Sequence, residues 1–177
     1  EANDYSALFV SSSEFILKNS TLTNNIDNSP HVAPLGFGDG NNKNYLVLNS
    51  VIYHPNHPNR DLYINGGNVS LHNNLFYHYN TSGYNGQVPD VDSNNIFSVN
   101  NPFIDSQNGD YSLVDSSLAI GAGIDSVFFI NSTVYSLAYD KLNISRPTPA
   151  NSNHDIGAYE SIRSTPMILG CMDTLAY

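Results

Sequence analysis

The stretch L-K-N-S-T-L at residues 17 to 22 returns as V-L-N-S-V-I from Val47 and as L-H-N-N-L-F from Leu71. Aligning Leu17, Val47 and Leu71 places Asn19, Asn49 and Asn73 in one column. Ser20, Ser50 and Asn74 fill the next column, and Leu22, Ile52 and Phe76 fall two residues further on. The first and third copies also match upstream. Leu8, Val10, Phe15 and Leu17 fall on Leu62, Ile64, Val69 and Leu71 at a constant offset of 54 residues. The second copy matches from Tyr45 onward, behind an inserted G-F-G-D-G-N-N-K-N. Spacings of 30 and 24 residues suit one coil of a solenoid, in which each repeat buries its apolar face against its neighbours.

Within a copy the apolar positions alternate: 8 and 10, then 15 and 17, then 22. A period of two predicts strands, so each copy reads as three short strands separated by bends. The asparagine lies at the bend between the second and third strands. Asn tolerates the left-handed backbone conformation, and its amide can satisfy backbone groups that a bend sets free. Stacked coil upon coil, these amides would form a side-chain ladder at a shared corner. The competing arrangement is three hairpins of an all-β sandwich, but a same-sense repeat with fixed internal register does not mark strands that alternate in direction. The pattern resembles the right-handed parallel β-helix of pectate-lyase-like proteins. That resemblance implies an all-β solenoid, here the C-terminal coils plus a cap.

Composition supports this class. Only 12% of the 177 residues are charged, and Asn, Ser, Gly and Tyr take their place, which suits turn-rich β structure. Six Lys and Arg against sixteen Asp and Glu give a net charge of −10, a field that repels nucleic acid and anionic membranes. No apolar run is long enough to span a bilayer. The single Cys171 reads either as an incidental cytosolic thiol or as half of a disulfide whose partner lies beyond Tyr177. Asn19, Asn68, Asn80, Asn131 and Asn143 sit in glycosylation sequons, a match that chance explains in a chain so rich in Asn and Ser.

A second set of motifs occupies the later half: N-P-F-I-D-S-Q-N-G-D-Y-S-L at 101 to 113, S-S-L-A-I-G-A-G at 116 to 123, R-P at 146, and D-I-G-A-Y-E at 155 to 160. In order and content these resemble the C-terminal part of bacterial β-helix proteins with choice-of-anchor Q domains. Leu118 stands where that family usually has Pro, and Gly121 where it usually has Asp, so any role of that Asp is lost. The tail G-C-M-D-T-L-A-Y, 170 to 177, resembles the start of a repeat found behind secreted marine-bacterial proteins, which normally continues to a second Cys. The resemblance implies a secreted or cell-surface location and an unpaired Cys171. We therefore expect residues 1–93 to form about three coils and 94–163 the terminal coils and cap of the same domain. Residues 164–177 are expected to begin a truncated repeat, and further coils are expected upstream of Glu1. Phe103, Tyr111, Leu113, Leu118, Ile120, Ile156 and Tyr159 supply apolar cover for the last coil. Asp155 and Glu160 pair with Arg146 or sit near Ca²⁺, the pairing being the expected use. An exposed coil end also offers a homodimer contact.

Several groups are candidates for chemistry. With Leu8, Val10, Leu62 and Ile64 inward, Phe9 and Tyr63 face outward on the first strand, and Val51, Tyr53, Leu75 and Tyr77 on the third. Phe9, Tyr53, Tyr63 and Tyr77 would then form a stacking surface for sugar rings, unless long loops bury them. The H-P-N-H-P-N-R loop, 54 to 60, carries His54, His57 and Arg60, and a second loop begins at His78. The two histidines could converge on a metal, although loop histidines are more often solvated. Asp90 and Asp92 lie on the same side of an extended segment, where they could hold Ca²⁺ or serve glycoside hydrolysis; solvation is the bland use. No cofactor is evident from the sequence. Polysaccharide lyases with this fold need a base and a cation that neutralises the substrate carboxylate. His54, His57, His72, His78, Tyr63 and Tyr77 are candidate bases, and Arg60 or Lys18 the cation. Lys18, Leu48 and His72 share one outward column, but nothing enforces a catalytic geometry, and fold alone does not establish chemistry. The leading expectation is a scaffold or glycan-contacting module of a larger bacterial protein. A polysaccharide lyase or glycoside hydrolase is the alternative, and a purely structural stalk the third.

Overall fold

The computed structural model describes residues 7–25, 33–38, 42–55, 61–77 and 84–166, with residues 84–86 described by their backbone alone. Among these residues there is no helix. Short strands arrive in sets of three: β1 (Leu8–Val10), β2 (Phe15–Lys18) and β3 (Thr21–Thr23), then β4 (Leu35–Phe37), β5 (Asn44–Leu48) and β6 (Val51–Tyr53). The third set is β7 (Leu62–Ile64), β8 (Asn68–His72) and β9 (Leu75–Phe76), and the fourth β10 (Tyr84–Gly86), β11 (Val91–Ser93) and β12 (Ile96–Phe97). They build three four-stranded sheets in the orders β1-β4-β7-β10, β2-β5-β8-β11 and β3-β6-β9-β12. Every pairing in the three sheets is parallel. The chain is thus all-β with parallel sheets, and each sheet draws one strand from each set.

Register follows the repeat. Leu17 pairs with Val47 and Val47 with Leu71, while Leu22 pairs with Ile52 and Ile52 with Phe76. Two features depart from the sequence reading. The second copy has its own first strand, because Leu35, Gly36 and Phe37 pair with Leu8, Phe9 and Val10. What reads as an insertion opens on Gly36 and Phe37 of that strand and closes on Asn44, the first residue of β5; the central glycine of β4 breaks the pattern of large outward residues. The parallel series also runs one set beyond the recognisable repeat, through Ile96 and Phe97.

The inward columns form one core. Leu35, Phe37, Tyr45, Val47, Ile52, Leu62, Ile64, Val69, Leu71 and Phe76 are buried together, with Leu8, Val10, Phe15, Leu17 and Leu22 partly buried against them. Phe37 stacks on Tyr45 with centroids 4.8 Å apart. Alternation explains the composition of this core, since every second residue of each strand points to the same side.

From Phe103 onward the strand pairs are antiparallel: β13 (Phe103–Asp105) with β14 (Asp110–Leu113), and β15 (Ser126–Phe129) with β16 (Ser132–Tyr135). This region packs against the outward sides of the second and third sheets. Phe129 and Val134 cluster with the outward Leu46 and Leu48 of the second sheet. Phe103, Leu113, Ala119, Ile120 and Ile156 cluster with Val51, Tyr53 and Leu75 of the third. The expected apolar cover is therefore present but lies along the flank of the sheets, and Leu118 is 46% exposed instead of joining it. Outward Leu46, Leu48, Val51 and Leu75 are themselves apolar and require burial. No helix among the described residues is long and apolar enough to cross a membrane.

Candidate functional site

The asparagine corner is the organising feature. Asn19, Asn49, Asn73 and Asn94 all have positive φ, between 46° and 54°, the left-handed region that Asn tolerates better than most residues. The ladder expected of these amides is instead built by the residues that follow them. The Ser20 N–H donates to Ser50 Oγ (3.2 Å), the Ser50 N–H to Asn74 Oδ1 (2.9 Å), and the Asn74 N–H to Asn95 Oδ1 (2.8 Å). Ser20 and Ser50 hydroxyls donate back to the carbonyls of Lys18 and Leu48, while Asn74 and Asn95 amides donate to those of Val47 and Leu71. This inner column meets the hydrogen-bonding needs of the bend. The left-handed asparagines are consequently free to bind elsewhere.

They bind the returning C-terminal segment. Asn19 Oδ1 accepts from Ser136 Oγ (2.9 Å) and from the Leu137 N–H (3.0 Å). Asn49 grips Ile124 from both sides, accepting from its N–H (3.0 Å) and donating to its carbonyl (2.7 Å), and also donates to Ser136 Oγ (3.3 Å). Asn73 donates to the Ala122 carbonyl at 2.8 Å. Close approach at this seam demands glycine: a Cβ on Gly123 would lie 2.9 Å from the His154 carbonyl oxygen and 3.1 Å from the Asn49 side chain.

At the seam, buried His154 sits between two polar groups. Its Nε2 is 2.7 Å from Asp125 Oδ1, and its Nδ1 is 3.0 Å from Ser136 Oγ. Beyond it lies a buried ionic network. Arg146 pairs with Glu160 at 2.7 Å, both side chains fully buried, and donates further to the carbonyls of Asp155 and Gly157. Asp155 accepts from the backbone N–H groups of Gly121 and Ser161. Burial outweighs these bonds and raises its pKa from 3.8 to about 6. Burial, and secondarily the neighbouring Asp155, also raises the Glu160 carboxyl. Every oxygen of this network points to a structural use, and no group of three or more His, Cys, Asp or Glu placed to hold a metal occurs among the described residues.

The sequence candidates are dispersed. Phe9 and Tyr63 share the outward column of the first sheet, separated by Gly36; Phe9 is 48% exposed and Tyr63 half-buried. Tyr53 is only 5% exposed and meets Tyr77 and Phe103 edge-on at 5.1 and 5.8 Å, so its ring is not open to stacking, while Tyr77 is half-buried. His54 is buried just past β6, whereas His72 ends β8 in the second sheet, and burial lowers the His72 pKa. Lys18 donates to the Tyr135 carbonyl at 2.8 Å. Asp90 accepts from the Val69 N–H and Asp92 from the Asn95 amide, so the two carboxylates serve separate bends. His57, Arg60, His78 and Cys171 lie outside the described residues. Ser136, His154 and Asp125 escaped sequence reading because no local spacing links them; the one cue was His154 directly before the D-I-G-A-Y-E block. Comparisons with family models, curated proteins and solved structures find no match for this chain.

Proposed function

We propose that the chain is a stretch of right-handed parallel β-helix of the pectate-lyase-like kind, with a closing part of the choice-of-anchor Q type. In this reading it serves as a glycan-contacting scaffold within a larger secreted or cell-surface bacterial protein. Three parallel sheets fed in strict rotation, with left-handed asparagines repeating at one corner, support the solenoid. The right hand follows from the strong preference of parallel crossovers.

The observation that carries glycan contact is the first-sheet column Phe9–Gly36–Tyr63. Two strand steps separate the aromatic residues by roughly 9.5 Å, close to the spacing of every second sugar ring along an extended chain. The Phe9 ring also lies against Gly38, where an added Cβ would come within 2.7 Å of it. Amphipathic sugar faces stack on aromatic rings held in this way.

Affinity electrophoresis against neutral and acidic polysaccharides tests the reading. Retardation by one of them should weaken about tenfold in Phe9→Ala and in Tyr63→Ala, a loss of about 1.4 kcal/mol. Retardation that both variants retain unchanged would remove this face from the account. Unsaturated ends released from uronate polymers, seen by ultraviolet absorbance, would instead favour the lyase alternative, and silence in both assays a structural stalk.

A further inference from the structure

We infer that the first coil is a self-association face: two copies of the chain join across a two-fold axis, with β2 of one antiparallel to β2 of the other. This does not rest on the glycan-contacting reading. The two ends of the parallel series differ in kind. β1, β2 and β3 are the outer strands of their sheets at one end, and β10, β11 and β12 at the other. At the first end the inward residues are Leu8, Val10, Phe15, Leu17 and Leu22, all apolar and all only partly buried. Their register partners in the next coil, Leu35, Phe37, Tyr45, Val47 and Ile52, are completely buried. One further layer on the first coil would take the rest of this apolar surface out of water.

The far end is built against such a layer. Asp92 stands there in the column of Leu17, Val47 and Leu71, its carboxylate accepting from the Asn95 amide. A charge in an inward column at a sheet edge discourages pairing. Seating the first coil of one copy on the fourth coil of another would press that carboxylate onto Leu17, so the copies do not join head to tail. The first coil requires a surface with apolar inward columns and free strand edges, and the first coil of a second copy is such a surface. Isologous pairing of this kind closes on itself.

Charge and register fit the two-fold arrangement. Among residues 7–25 the charged side chains are Glu14 and Lys18, so this coil is neutral in a chain of net charge −10. Glu14, Ile16 and Lys18 alternate with the inward Phe15 and Leu17 and share the outward side. The Asn19 N–H donates to the Leu48 carbonyl, so alternate residues of this stretch bond to β5, and the backbone groups of Ile16 and Lys18 turn to the open edge. Residues directly opposite in an antiparallel pair lie on the same face. With Ile16 on the axis against Ile16 of the second copy, Phe15 meets Leu17 and Glu14 meets Lys18, each pair occurring twice. Inward residues stay with inward ones, and both charges are matched. Both charged groups are already positioned. The Asn44 N–H and amide donate to the Glu14 carboxylate at 3.1 and 3.2 Å, and Lys18 donates to the Tyr135 carbonyl at 2.8 Å. Each keeps capacity for a further bond. Ile16, 44% exposed in the single chain, becomes the centre of the contact, and β1 comes to face β3 of the second copy.

Sedimentation equilibrium of the whole chain, from micromolar to millimolar protein, is the test. A monomer–dimer equilibrium is expected. Ile16→Asp places two carboxylates on the axis and should leave monomer alone, with far-ultraviolet circular dichroism unchanged because Ile16 is exposed in the single chain. Glu14→Lys and Lys18→Glu should each weaken the dimer about tenfold by setting like charges opposite one another, and the double reversal should restore it. Val99→Asp, on the far end where Val99 is 74% exposed, should leave the dimer as it is. Monomer at every concentration overturns the proposal and leaves the open edge to a further coil of a longer chain. A dimer that survives Ile16→Asp or is broken by Val99→Asp also overturns it, as does a double reversal no tighter than either single one.

Discussion

Asn49 combines two demands that substitution can separate. Its φ of 47° favours Asn or Gly over other residues, and its amide clasps Ile124 and Ser136. Asn49→Gly keeps the backbone permissive but removes the clasp, which should destabilise the chain by about 1–3 kcal/mol. Asn49→Ala should cost about 1–2 kcal/mol more, because an L-residue with a Cβ must also hold the left-handed conformation. Exposed Asn94, at φ 54°, supplies the comparison, since Asn94→Ala should show the backbone cost alone. Urea midpoints measure all three; equal losses for Asn49→Gly and Asn49→Ala would leave φ no part in the choice of residue. Column membership and left-handed geometry were legible in the repeated Asn. What the amide binds was not, because the sequence leaves open whether such an amide faces the next coil or a returning segment.

Among the elements, the strands of the third sheet carry apolar residues on both sides. Val51 and Leu75 point away from the inner core yet are completely buried, under a segment that approaches through Gly157. That glycine has φ 107° and donates to the Asn49 carbonyl at 2.8 Å. A Cβ there would sit 3.0 Å from Val51 Cγ2 and 3.2 Å from Thr21 Oγ1. Gly157→Ala should therefore destabilise by about 1–3 kcal/mol, read as a lowered denaturation midpoint. A neutral outcome would mean that the segment does not press on the sheet there. The apolar outward residues were visible in the sequence as a second hydrophobic face, but period two alone does not say what covers it. The missed β4 has a similar cause: Gly36 and Gly38 dilute the alternation that marks strands elsewhere.

At the scale of the whole molecule, the buried carboxylates make stability depend on pH. The folded chain holds the Asp155 proton up to about pH 6, whereas an unfolded aspartate releases it near 3.8. Between those values the folded state binds more protons, so rising pH favours unfolding. The contribution of Asp155 is fully present below about pH 4 and is lost by the time pH has passed about 6. At about 1.36 kcal/mol per pKa unit, the loss amounts to roughly 3 kcal/mol. Glu160, raised in the same direction, adds to the trend. Denaturation midpoints of wild type relative to Asp155→Asn should fall across this window, and parallel curves would contradict the buried, proton-holding Asp155. Arg146 and Glu160 behave differently. Their mutual burial makes removal of one partner costly, and Arg146→Ala should lose about 3–5 kcal/mol by leaving the other charge uncompensated.

The amino-acid sequence alone determined the strands of the recognisable copies apart from β4, their inward columns and the corner where Asn turns the chain. These follow from alternation and backbone sterics, which act over a few residues and recur in each copy. Only the tertiary structure decided what the outward side chains meet. Asn49 reaches Ile124 across 75 positions, and the Leu137 N–H reaches Asn19 across 118, separations that no local pattern encodes. Burial of apolar area has no preferred partner, so the choice of which segment covers a sheet falls to hydrogen bonds and close contacts that exist only once the chain has come back upon itself.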